Sequence, residues 1–383
     1  MTQIIKYALK NGQNRYKFQV YTGIDPTTGK QKTTTRRGFK TKKEATLALS
    51  RLKIEVDEQD GLETKKDMLF SEVYSEWHDQ YINTVRESTD EKTRRIFKVH
   101  VLPAFGNFII SKITVNMCQK ILNKWYKEAK SYKKWFNYTA MVFDYAFKQE
   151  LIKRDPTKMV TMSKLMDSRG DKPANFWTRE QLHMFFTLLD PKEELEKFTM
   201  FRTLAYTGVR KGELLALTWE DINFTQKTLR VNKTLTQGLG GKLIIQAPKS
   251  NAGRRTIDLD DYTVNTLKRW KLAQRTLYIR LGFNVNSQEQ LVFASNKNHF
   301  KSMNTPSKWL KQLIENTDLP HISVHGFRHT HATMLYQAGV GLKETQARLG
   351  HSRADSSTTL DVYTHTTQEQ NILALSKLEK FLE

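Results

Sequence analysis

The sequence predicts a multidomain, mainly α-helical chain carrying small antiparallel sheets, and three observations predict it. Apolar residues recur at helical spacing through the middle and the last part of the chain. Period-two alternation with turn residues is confined to two short stretches, near residues 16–39 and 228–259. Two charged, Gly-containing stretches without periodicity separate the blocks. A length of 383 residues accommodates about two or three domains. A composition that is 38% hydrophobic and 11% aromatic excludes a disordered chain.

The front block, expected over 1–60, is a small sheet backed by a helix. Tyr16–Tyr21 alternates as a strand, Ile24–Lys30 holds the Pro and Gly of a turn, and Lys32–Phe39 reads as a second strand. Thr41-Lys42-Lys43-Glu44 is a capping box opening a helix that runs to about Val56. Residues 1–53 carry 13 Lys/Arg and only two acids, Asp25 and Glu44, half of the chain's net +22. A surplus of that size points to a polyanion, of which nucleic acid is the commonest. Lys17, Lys32, Arg36, Arg37, Lys40 and Lys42 are the candidate DNA contacts; a solvated basic surface is the plainer alternative.

A linker is expected at 61–67, and then a helical block at 68–165. Phe70, Val73, Tyr74 and Trp77 share one helix face, Thr89–Val101 makes a further helix, and Pro103 is expected to break it. Trp135, Tyr138, Val142, Tyr145 and Ala146 form a long apolar stripe. After a second linker at 166–173, the block 174–383 opens on the cap Thr178-Arg179-Glu180-Gln181. Its strand-like interlude, Thr228–Thr236, Lys242–Ala247 and Arg254–Leu259, is expected to form a three-stranded antiparallel ribbon. Residues 368–381 read as an amphipathic helix that can cap its own core.

Several chemistries are excluded. There is no P-loop, Rossmann glycine fingerprint, His-Glu-x-x-His or Gly-x-Ser-x-Gly. The single cysteine, Cys118, allows neither an internal disulfide nor a multi-Cys zinc site. No apolar run is long enough for a membrane span, and no signal-peptide core opens the chain. His325 and His329 lie four apart, as metal ligands on a helix would, but Arg328 between them opposes a divalent ion.

Arginine beside histidine suits phosphoryl chemistry instead. Guanidinium forks can clamp the non-bridging oxygens of a phosphodiester as charge builds there, so two arginines, a histidine and a general acid suffice without metal. Arg210 follows the break at Gly208, where a new helix starts, and Glu213 three residues on can hold its fork. Lys249 sits in the ribbon turn Ala247-Pro248-Lys249-Ser250, with Lys233 and Lys242 as ribbon competitors.

The succession Thr207-Gly-Val-Arg210-Lys-Gly-Glu213, His325-Gly-Phe-Arg328-His-Thr-His-Ala, Leu349-Gly-His351-Ser and Tyr363-Thr-His365 resembles the tyrosine recombinases, specifically phage and conjugative-transposon integrases. The resemblance covers essentially the whole chain. The front block looks like an arm-type DNA-binding domain, the middle like a core-binding domain, and 174–383 like the catalytic domain. It implies that Arg210 and Arg328 hold the scissile phosphate, with His325 and His351 assisting and Glu213 supporting. Lys249 would protonate the departing 5′-oxygen, and Tyr363 would form a 3′-phosphotyrosine link. No cofactor, metal or ATP is implied. The implied partners are double-stranded DNA at core and arm sites and a homotetramer on that DNA, in which the helix 368–381 would pass to a neighbouring subunit. An accessory DNA-bending protein and an excisionase are further partner candidates, and the implied setting is the bacterial cytoplasm and nucleoid, with no membrane partner. His351 and Tyr363 stand farther apart than is usual in the family, the extra length falling in 352–358, so docking in cis and in trans both stay open. The rivals are a chromosome-dimer resolvase, which lacks such a front domain, a non-catalytic DNA-binding regulator, which predicts that Tyr363 is dispensable, and a metal-dependent nuclease or transposase, which predicts loss of activity with EDTA.

Overall fold

The structure, a computed structural model, describes residues 3–9, 13–24, 31–57, 67–162, 174–284 and 287–351. The second linker, most of the first, Tyr363 and the segment 368–381 lie outside the described residues. The chain divides into two compact units, one of residues 1–80 with 97–161 and one of 81–96 with 162–383.

In the first unit, β1 (Ile5–Ala8), β2 (Asn14–Ile24) and β3 (Gln31–Phe39) form an antiparallel sheet in that order, followed by α1 (Lys42–Asp57). β1, only four residues long, was not expected. Phe18 and Val20 face Ala45, Leu49 and Leu52 of α1. Glu44 N–H donates to the Thr41 hydroxyl, while the Glu44 carboxylate accepts from Lys40 N–H, one residue before the cap.

The same unit holds α2 (Phe70–Tyr81). The second unit begins with α3 (Glu87–Ile96), after which the chain returns to the first through a π-helical turn over Phe97–Val101 and α4 (Leu102–Phe105). The expected break at Pro103 is therefore displaced: Pro103 enters at the first turn of α4, where its missing N–H costs nothing. Phe97, Val101 and Phe105 all stay fully buried across the junction. α5 (Val115–Glu128) and α6 (Tyr132–Lys148) complete the helical layer, Trp125 meeting Trp135 edge to face. Cys118, inside α5, is buried, and burial followed by the charge of Asp155 pushes its thiol up to about 12, an inert state.

The second unit continues with α7 (Arg179–Thr187), α8 (Leu195–Thr207), α9 (Lys211–Ala216), β4 (Ile222–Asn223), β5 (Thr228–Val231), β6 (Thr234–Gln237), β7 (Leu243–Gln246) and β8 (Arg255–Asp258). Then follow α10 (Asp261–Arg280), α11 (Thr305–Ile314), α12 (Gly326–Gln337) and α13 (Leu342–Leu349). The three-stranded ribbon is corrected. The first expected strand divides at Asn232–Lys233, so that β5 joins a β4-β5-β8 sheet while β6 pairs only with β7. The division has a cause: the Lys233 ammonium turns in to the buried Asp221 carboxylate at 2.7 Å and the Thr218 hydroxyl at 2.9 Å. One core lies behind these elements. Phe327 of α12 is fully buried with Trp177, Phe185 and Phe201 around it at ring distances of 5.3–5.4 Å. That wall fixes the helix carrying the next residue, Arg328. Among the described residues no helix is long and apolar enough to cross a membrane.

Candidate active site

Three of the candidate residues grow out of one chain reversal. α8 ends on Gly208, in the left-handed region at φ 65°. A Cβ there would also collide with Leu349 and His331, so glycine is demanded twice. The Gly208 carbonyl thus turned inward accepts from Arg328 Nη1 at 2.8 Å. Two residues on, Arg210 caps α9, and Glu213 accepts both its N–H and its Nη1 at 2.9 Å.

Glu213 is shared. Its carboxylate also takes Arg255 Nη2 at 2.9 Å, and both side chains are about 5% exposed or less. Burial pushes the Glu213 carboxyl up, but Arg255 and Arg210 outweigh it and hold it below the ordinary carboxylate range. Arg255 was not singled out in the sequence. The available signal was strand parity: Arg255 and the buried Ile257 share a face of β8, so the arginine is directed inward and needs a carboxylate.

The C-terminus of α13 joins these parts. Arg255 Nε donates to the Arg348 carbonyl at 2.7 Å, Arg328 Nη2 to the Leu349 carbonyl at 2.6 Å, and Arg210 Nη2 to the Gly350 carbonyl at 3.4 Å. Three successive carbonyls at a helix end, which lack helical partners and carry the negative end of the dipole, thus each take a different guanidinium. His351 follows directly, half-buried, its N–H on the Gln346 carbonyl.

Arg348 is clamped from outside. His331 Nδ1 lies 2.9 Å from the Ala205 carbonyl and its Nε2 lies 3.1 Å from Arg348 Nε. A carbonyl only accepts and a guanidinium only donates, so the ring is neutral with its proton on Nδ1. Burial, then Arg348, push His331 down to about 3. Its sign is clear. Unfolded, the ring binds a proton near 6.5; folded, it does not, so stability falls as pH drops below 6.5, by up to about 1.4 kcal/mol per pH unit. Urea unfolding between pH 7 and 5 is expected to show a slope of that sign, to which His325 adds, and His331→Gln to reduce it by up to that amount.

His325 precedes α12 with its ring edge-on to His329 at 4.8 Å. One side of it is open to solvent. Desolvation of the inward side, then His329, Arg328 and Arg210, hold it down to about 4, so it is neutral near pH 7. Lys249 is exposed on the turn after β7, which returns through β8 to Arg255. Lys242 is also exposed, whereas Lys233 is taken by the Asp221 carboxylate. The structure therefore brings Arg210, Glu213, Arg328, His325 and His351 around one helix end, sets Lys249 on a neighbouring turn, and does not describe Tyr363.

The front candidates divide by face. Lys17 pairs with Arg37 across β2 and β3, on the side away from α1, and Lys17 lies over Tyr7 at 5.8 Å. Arg36 pairs with Phe18 and so belongs to the α1 side, although it is exposed. Lys40 and Lys42 are exposed around the start of α1; Lys32 is placed on β3, its side chain outside the described residues.

Comparison with known proteins agrees along the chain. Residues 175–370 match the model described as the phage integrase family, 69–126 that of a phage integrase N-terminal SAM-like domain, and 4–56 that of an arm DNA-binding domain. The chain is similar to the ICEBs1 integrase of Bacillus subtilis (strain 168), 29% identical over 98% of this chain and 99% of that one. In fold it is similar to the Tn1549 transposon integrase in complex with a circular intermediate DNA, with a TM-score of 0.65 and 20% identity over 81% of this chain and 99% of that one. A lambda integrase tetramer bound to a Holliday junction matches with a TM-score of 0.55 and 16% identity over 92% and 94%.

Proposed function

The chain belongs to the phage integrase family of tyrosine recombinases, enzymes that break and rejoin DNA, and from that premise we propose a site-specific recombinase that integrates and excises a conjugative element. The observation that carries the active-site reading is the convergence of Arg210 and Arg328 on successive carbonyls of one helix end. Guanidiniums oriented before substrate arrives lose little order on clamping a phosphate.

The reaction then follows from the chain's own residues. The Tyr363 oxygen attacks the scissile phosphorus and gives up its proton. The bond from phosphorus to the 5′-oxygen breaks, and Lys249 delivers a proton to that oxygen. Arg210 and Arg328 balance the charge on the non-bridging oxygens. Neutral His325 accepts or relays the tyrosine proton, and His351 donates to the phosphate. A free 5′-hydroxyl from another strand reverses these steps, so the bond energy is conserved in the 3′-phosphotyrosine link and no ATP is consumed. In this reading the open face bearing Lys17 and Arg37 holds arm-type sites, the block 68–165 and the catalytic block 174–383 grip the core site, four protomers exchange strands on two sites, and the work is done in the bacterial cytoplasm.

The test is incubation with a nicked core half-site in EDTA. A protein–DNA adduct at the 3′-phosphate is expected, with the linked peptide containing Tyr363. An adduct through another side chain, or one that EDTA abolishes, overturns the assignment; DNA binding with no adduct favours the non-catalytic regulator.

A further inference from the structure

We infer that Arg86 is a positioning residue for Lys249, setting the general acid's turn through backbone contacts; the inference rests on the reading of Lys249 as proton donor. Arg86 immediately precedes α3, within the second compact unit. Its Nη1 donates to the Ala247 carbonyl at 2.7 Å and its Nη2 to the Pro248 carbonyl at 2.9 Å. These are the two carbonyls directly before Lys249. They lie beyond the end of β7 at Gln246, where no strand pairing holds the chain. A guanidinium fork on two consecutive carbonyls constrains the peptide planes between them, which an ordinary surface arginine does not do.

The grip extends along the hairpin of β6 and β7. The Ser88 hydroxyl lies 3.2 Å from the Gln246 side-chain oxygen. At the tip, Leu239 N–H donates to Glu87 at 2.8 Å and Gly240 N–H to Glu91 at 3.2 Å. Gly238 is part of the fit, because a methyl group there would collide with the Glu87 carboxylate. The start of α3 thus splints the hairpin at both ends. Pro248 in turn packs over Gly253, where a Cβ would meet it at 2.7 Å, so the turn is closed against β8. The Lys249 side chain stays exposed on a turn whose backbone is tied down. Its reach is therefore set by Arg86, while its amine remains available to the leaving oxygen.

The experiment compares two DNA substrates, one with the natural phosphodiester and one with sulfur in place of the bridging 5′-oxygen. A thiolate leaves without a proton far more readily than an alkoxide, so the sulfur substrate bypasses the general acid. Arg86→Ala is expected to cleave the natural substrate about 10²-fold more slowly and the sulfur substrate at close to the wild-type rate, with thermal midpoint and core-site affinity retained. Gly238→Ala, which displaces Glu87 without touching Arg86, should show the same split more weakly. Lys249→Ala is the reference and should be rescued by sulfur. If Lys249→Ala is rescued but Arg86→Ala is slow on both substrates, Arg86 is a DNA anchor or a fold contact and the inference fails while the function of Lys249 stands. Wild-type rates for Arg86→Ala on both substrates also overturn it. If Lys249→Ala is not rescued, the proton-donor reading itself falls.

Discussion

Arg328→Ala is expected to slow strand cleavage by about 10³-fold or more while changing core-site affinity only a few-fold. Affinity for DNA is spread over many phosphate contacts, each a small share of the total. The loss in rate is concentrated because Arg328 is 3% exposed and bound in place by the carbonyls of Gly208 and Leu349, on two separate elements. Alanine removes the charge and also leaves both carbonyls without that donor. Arg328→Lys should not rescue, since one ammonium cannot span two carbonyls and still present a planar edge. Single-turnover cleavage of the nicked half-site and mobility-shift titration separate rate from binding. Near-normal cleavage by the lysine variant, or a loss confined to affinity, would remove Arg328 from the reacting phosphate.

The parts of this site that were legible in the sequence are those in which side-chain identity carries the chemistry. Arg210, Glu213, His325 and Arg328 stand in short motifs, and Gly208 announces a break before a new helix. What joins them is not written in side chains. The acceptors at 348–350 are backbone carbonyls, which any residue supplies, so nothing in Arg348-Leu349-Gly350 reveals that three arginines meet there. The ribbon was misjudged for a related reason. Thr228–Thr236 alternates as one strand except at Lys233, which takes an inward-facing position, and the tertiary attraction of that ammonium for Asp221 splits it. The break is displaced from Pro103 because a π-turn places that proline at a helix start, where it is tolerated, and the helical run ends at Phe105. β1 is four residues long, too short for alternation to stand out.

Glu213→Ala is expected to destabilise the protein by about 3–5 kcal/mol, lowering the thermal midpoint by roughly 10 °C, and to abolish efficient cleavage as well. The two losses have different origins, and a second substitution separates them. Arg255 is about 5% exposed, so losing its carboxylate strands a buried cation; Arg210 is 35% exposed and can turn to water. Stability therefore depends chiefly on Glu213 with Arg255, and cleavage on Glu213 with Arg210. Glu213→Leu combined with Arg255→Met removes the stranded charge together with its partner and should recover about half of the lost stability. Recovery stays incomplete because the Arg348 and Gly253 carbonyls lose their Arg255 donors. Cleavage should not recover, because Arg210 then lacks the only carboxylate that held its fork and N–H among the described residues. Calorimetry and single-turnover cleavage on the two single variants and the double variant read both coordinates. If cleavage returns in step with the thermal midpoint, Glu213 serves the fold alone; if the midpoint returns without cleavage, the carboxylate is what aims Arg210 at the phosphate.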